Sequence, residues 1–224
     1  MQIRKRFERL LQFALLLNCR FAPAQIEAYQ DAHHHVVFAN KLIRVLDLRI
    51  PENDTTAEHR HSLASVVIFL TRTSFTIKNK SGPPVNTDVD IGSSIYRDYG
   101  RNPVTHRVWH DGKTEFRCLV IEILDSAIKN PVCSEPAGKG IRKDWSENQA
   151  SLFDWPVGPG GNFTLAPSEC PTVIVCITGT VNVQTGEKAK LMRSGEFIFV
   201  PSGQKTQIAS RTAKGAKVEL IQIK

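Results

Sequence analysis

The chain is expected to be all-β. Short runs of β-branched and aromatic residues recur along its 224 positions, turn residues separate them, and no helical period is sustained beyond the N-terminal stretch. With 41% hydrophobic residues it holds enough apolar material for a proper core, which argues against a disordered chain. Many short strands at regular spacing indicate a barrel or sandwich.

Taken in order, residues 1–24 read as an export signal. A basic start carries Arg4, Lys5, Arg6 and Arg9, an apolar run extends from Leu10 to Leu17, and Ala22-Pro23-Ala24 precedes Gln25. A periplasmic or secreted location follows. The alternative is a basic amphipathic helix of a cytoplasmic protein, since Phe7, Leu10, Leu11, Ala14 and Leu17 also share helical spacing. Cys19 resembles a lipid-attachment cysteine only weakly, because Asn18 stands where a small residue is expected. No later segment reaches the roughly 20 apolar residues of a membrane-spanning helix.

Strand patterns then follow at Val36–Phe38, Ile43–Leu48, Val66–Leu70, Ser74–Ile77, Arg107–Trp109 and Arg117–Leu124. Pro51-Glu52-Asn53-Asp54, Ser81-Gly82-Pro83-Pro84 and Asp111-Gly112 supply the turns between them. After Leu124 the pattern lapses into a polar passage carrying Pro131, Pro136, Gly138 and Gly140, which suits a connection between two units. Strands resume at Phe163–Leu165, Val173–Ile177, Thr180–Val183, Lys188–Met192, Phe197–Val200, Thr206–Ala209 and Val218–Ile223. The expected division is a leader over 1–24, a first unit over 33–125, a connection over 126–149 and a second unit over 150–224.

The formal charge of +7 raises the question of an anionic polymer as partner. Four of the basic residues lie at the extreme N-terminus, and the rest are scattered among acids with only Arg142-Lys143 as a later doublet, so no nucleic-acid stripe is expected. Beyond the leader four cysteines remain. Cys118 and Cys176 sit in apolar strand patterns and are expected as buried thiols, whereas Cys133 and Cys170 lie in Pro-flanked loops and are the pair available for a disulfide.

All seven histidines fall in the first half: His33, His34, His35, His59, His61, His106 and His110. In a strand, His59 and His61 share a face while Glu58 and Arg60 point the other way. With His106 from a neighbouring strand they make three neutral nitrogen donors and leave a coordination position open, as catalytic rather than structural metal sites do. A His-x-His alone is weak evidence, since such pairs also arise on strand surfaces or as polar lining for an organic ligand. His110 is too far along the strand from His106, at roughly 13 Å, to share an ion and is expected to be structural. His33 to His35 precede the first strand pattern and are left outside the ligand set. Glu122 is an inward candidate for proton transfer or support of the site, with a rim charge as the plainer reading.

These residues resemble the motifs of the cupins. His59-x-His61 matches the first motif, but Ser65 and Val66 occupy its glutamate position. His106 matches the second motif, whose asparagine is replaced by His110 and whose opening glycine looks like Gly92. The stretch from His35 to Leu124 is similar to small bacterial cupins, although Ser62 stands where those have proline. The second half resembles a degenerate copy: Gly195 to Gly203 repeats the glycine, apolar strand and Pro-x-Gly turn, and Thr206 occupies the histidine position.

The resemblance implies two jelly-roll barrels, with one divalent ion, iron, zinc, nickel, copper or manganese, held by His59, His61 and His106 in the first. It further implies chemistry on a small organic molecule, with an oxygenase-type reaction as the leading expectation. The alternatives are a non-enzymatic module binding a sugar or an acid, and a metal-dependent isomerase or lyase. A homodimer is compatible with either.

Overall fold

The computed structural model describes residues 25–124 and 131–224; the expected leader lies outside the described residues. Apart from one 3-10 turn, Ala28–Gln30, the regular elements among the described residues are all strands. In the first half they are β1 (Ile26–Glu27), β2 (His34–Ala39), β3 (Ile43–Ile50), β4 (Asp54–Thr55), β5 (His59–His61), β6 (Ser65–Phe69), β7 (Thr73–Asn79), β8 (Val85–Val89), β9 (Ser94–Arg97), β10 (Val104–His110) and β11 (Phe116–Ile123). The second half has β12 (Arg142–Ser146), β13 (Ala150–Val157), β14 (Asn162–Leu165), β15 (Thr172–Thr178), β16 (Thr180–Thr185), β17 (Lys188–Arg193), β18 (Phe197–Val200), β19 (Thr206–Ser210) and β20 (Ala216–Ile223).

Each half is a two-sheet sandwich of jelly-roll type. In the first, β1-β5-β10-β7-β8, with β4 against β10, faces β2-β3-β11-β6-β9. In the second, β14-β19-β16-β17 faces β12-β13-β20-β15-β18. All pairings are antiparallel except β1 with β5. The sheets of one half remain separate and do not close into a continuous barrel.

The sequence of β11 shows where the cores lie. Phe116, Cys118 and Val120 point into the first sandwich beside Leu46, Leu48, Phe75 and Val108. Leu119, Ile121 and Ile123 point the other way, into a cluster shared with Ala150, Leu152, Val173, Val175, Ile177, Ile221 and Ile223 of the second half. A strand buried on both faces reads as a continuous apolar run, as Phe116 to Ile123 does. The two halves are therefore joined by a hydrophobic core of their own.

The halves are also copies in register. Phe38 pairs with Val45 beside a bulge at Val36/Phe38, and Trp145 pairs with Leu152 beside a bulge at Lys143/Trp145. Across the joint Phe38 stacks on Phe199 at 5.6 Å, while Tyr96, the counterpart of Phe199, meets Trp145 at 6.1 Å. Arg117, clasped by Asp47 at 2.8 and 3.0 Å, donates to the carbonyl of Gly195 at 3.2 Å. Lys217, 3.3 Å from Asp154, reciprocates to the carbonyl of Gly92 at 3.1 Å. Both glycines have positive φ, 71° and 79°, which a side chain would strain.

The symmetry breaks at one pair, since Leu119 in the first half corresponds to Glu219 in the second. Glu219 is 1% exposed, and its Oε2 has no hydrogen-bond partner among the described residues. Burial pushes its carboxyl up to about 8, against the opposing pull of Lys217.

Part of the span expected as a connection, Arg142–Ser146, is strand β12 at the edge of the second half. The same span is tied to the loop before β15 by a disulfide between Cys133 and Cys170. Cys118 and Cys176 are buried free thiols.

Candidate metal centre

Strand alternation does at β5 what the sequence predicts. His59 and His61 are buried, Arg60 is half-buried on the other side and Glu58 is exposed. In the antiparallel ladder with β10, His106 lies directly opposite His59. The three rings meet with His59 in the middle: its Nε2 is 3.2 Å from Nε2 of His61 and 3.1 Å from Nε2 of His106. His59 Nδ1 donates to the carbonyl of Ala57 at 2.9 Å, so the neutral ring keeps its Nε2 lone pair for the centre. Nδ1 of His61 is buried without a hydrogen-bond partner among the described residues, and Tyr99 lies over that ring with centroids 5.0 Å apart.

Burial, reinforced by the neighbouring imidazoles, holds His59 down to about 4 and His106 down to about 3, and drives His61 well below its ordinary value. The rings are thus neutral at physiological pH, the state a metal ligand needs. Ions bound by imidazole at about 2.0–2.1 Å set neighbouring donors about 3 Å apart, a spacing the observed separations fit.

The structure brings in one histidine that sequence reasoning left out. His34 begins β2 instead of preceding the first strand, is 3% exposed, and sits edge-on to His59 with centroids 4.6 Å apart. One donor atom each from His34, His59 and His61 falls within 4.8 Å of the others. Three consecutive histidines conceal which one faces inward; only the pairing of His34 with Leu48, whose side chain enters the first core, tells. Nδ1 of His34 contacts Oδ1 of Asp31 at 3.0 Å. Burial alone would raise the Asp31 carboxyl, but that contact and the N–H groups of Ala57 and His33 outweigh it and hold it at about 2.

The other candidates lie apart from this cluster. His33 contacts Asp54 at 3.1 Å, and His35 is exposed. His110 is buried at the far end of β10, between the carbonyls of Ser74, at 3.1 Å, and Thr114. Glu122 does point inward, from the same face of β11 as Val120, but is bound to Arg44 at 2.5 Å. Burial raises its carboxyl even against that guanidinium, which lies over the ring of Tyr29 at 3.8 Å.

No protein-family model matches the sequence, and no curated protein matches it. Solved structures do. AerE from Microcystis aeruginosa is 11% identical with a TM-score of 0.62, over 85% of this chain and 97% of that one. Salicylate 1,2-dioxygenase from Pseudoaminobacter salicylatoxidans, solved as adducts with gentisate, is 12% identical with a TM-score of 0.60, over 83% of this chain and 70% of that one. Both alignments run across the two sandwiches. The chain has a bicupin fold. A cupin domain from Bordetella pertussis also matches, 31% identical over 40% of this chain and 90% of that one, with a TM-score of 0.37.

In the second half, Thr206 faces Thr185 and Leu165 as His106 faces Asn79 and His59. Leu165 and Thr206 therefore stand where the first half has histidines, and the histidine cluster belongs to the first half alone.

Proposed function

We propose that this bicupin binds one divalent metal ion through His59, His61 and His106 and uses it in oxygenase-type chemistry on a small organic molecule. The convergence of three buried, neutral Nε2 atoms from β5 and β10 carries the reading. A bound ion would supply Lewis acidity and, if redox-active, a route to dioxygen. This chain's own contribution is the preformed donor set, its shield from water and the tautomer of His59 imposed by Ala57. Neutral imidazole ligands leave a divalent ion net positive, which favours an anionic substrate. The gentisate adducts of the salicylate dioxygenase support aromatic hydroxy acids as the first compounds to test.

Protein purified without chelator is expected to carry close to one metal ion per chain, lost in a His59→Ala/His61→Ala variant, and to consume oxygen with an acid of this class. Failure to retain any ion after reconstitution with iron, zinc, nickel, copper and manganese would overturn the proposal. Metal without oxygen consumption would move the assignment to a binding module or to isomerase or lyase chemistry.

A further inference from the structure

We propose that His34 is a fourth ligand of the same centre and that Asp31 is its positioning residue, returning to the site, one imidazole removed, the negative charge that the first motif's glutamate would have provided. This rests on the metal reading above and deepens it. Neither residue at the glutamate position can serve: Ser65 is turned onto the carbonyl of Leu63 at 2.9 Å, and Val66 is packed into the core between the halves. Other acidic residues around these strands are committed elsewhere, Glu122 to Arg44 at 2.5 Å, Glu27 to the Ser62 hydroxyl at 2.7 Å and Glu58 to the surface.

Asp31 is built into the site from both sides. Its Oδ1 accepts the Nδ1 proton of His34 at 3.0 Å, which leaves the Nε2 lone pair of His34 free within the cluster. Its Oδ2 accepts the N–H of Ala57 at 2.8 Å, and the carbonyl of Ala57 in turn accepts the Nδ1 proton of His59 at 2.9 Å. One carboxylate thereby orients two rings, His34 directly and His59 through a peptide unit. Asp31 is 4% exposed, so its charge is poorly screened by water. A carboxylate behind a ligating imidazole raises the ligand's basicity and fixes its orientation, and its loss typically costs 10–100-fold in metal affinity.

The test is a nitrogen count in the full-length, copper-substituted protein by pulsed electron paramagnetic resonance, with metal dissociation constants measured in parallel. Wild type is expected to show four imidazole nitrogens bound to the ion. His34→Gln is expected to show three and bind at least 10-fold more weakly, and Asp31→Asn to bind roughly 10–100-fold more weakly with His34 still counted. A wild-type centre with three imidazoles, together with an unchanged dissociation constant in His34→Gln, would overturn this inference and leave the three-histidine reading standing. A wild-type protein that binds no ion would overturn both. The wild-type count needs no variant, so a misfolded His34→Gln or Asp31→Asn does not remove the test.

Discussion

Glu219 and Leu119 occupy equivalent positions on β20 and β11, facing the joint between the halves, yet one is a carboxyl and the other a hydrocarbon. Below pH 4.5 the Glu219 carboxyl is protonated whether the chain is folded or not; from there to about 8 the unfolded chain gives up a proton that the folded chain keeps. Stability arising from this residue is therefore present at acid pH, falls as pH rises through that window and levels off above it. Glu219→Leu is expected to flatten this slope and to add about 1–3 kcal/mol at pH 9, measured by urea unfolding across a pH series, because it removes a buried carboxyl whose Oε2 has no hydrogen-bond partner among the described residues. A slope unchanged by the substitution would assign the pH dependence elsewhere. Single residues were unevenly legible in the sequence. His59 and His61 were readable because strand alternation alone puts them on one face, and His106 because its motif recurs with them. His34 was not, since its role depends on register with Leu48, and neither was Asp31, whose partners are gathered from β2 and the segment before β5.

Among the elements, the turn that opens β9 and its copy before β18 show how much tolerance two equivalent positions can differ by. A Cβ on Gly92 would lie 2.8 Å from Cγ2 of Ile177, on a buried strand, and 2.9 Å from Nζ of Lys217, whereas on Gly195 it would meet only the far end of the Arg117 side chain. Gly92→Ala is expected to cost about 1–3 kcal/mol through combined strain and overpacking, and Gly195→Ala less, as compared by chemical denaturation. Equal losses would mean that positive φ alone sets the cost. Most strands were visible as apolar runs bounded by turns. β12 was hidden because Arg142, Lys143 and Asp144 are polar residues on an outer edge, where charge guards an unpaired strand against further pairing. Apolar patterning reports burial, and an edge strand has little of it to report.

At the scale of the whole molecule, the joint core makes the halves interdependent. β2 carries His34 towards the histidine cluster and Phe38 into the joint, so an ion bound at that cluster and the docking of the halves would act on one strand. Calorimetry is expected to show one unfolding transition, which moves upward as a whole on metal loading, by about 2.7 kcal/mol at 100 times the dissociation constant. Two transitions, with only one shifted by metal, would show that the halves melt separately. The doubled architecture was legible from the repeated glycine and Pro-x-Gly turns, but the shared core was not, because contacts between units leave no period in a sequence. The degenerate copy also gives the molecule an internal blank. Leu165 and Thr206 keep the backbone setting of His59 and His106 without their nitrogen atoms, so a compound attracted merely to the interior of such a sandwich should occupy both halves, and one that recognises the histidines should stop at a stoichiometry of one.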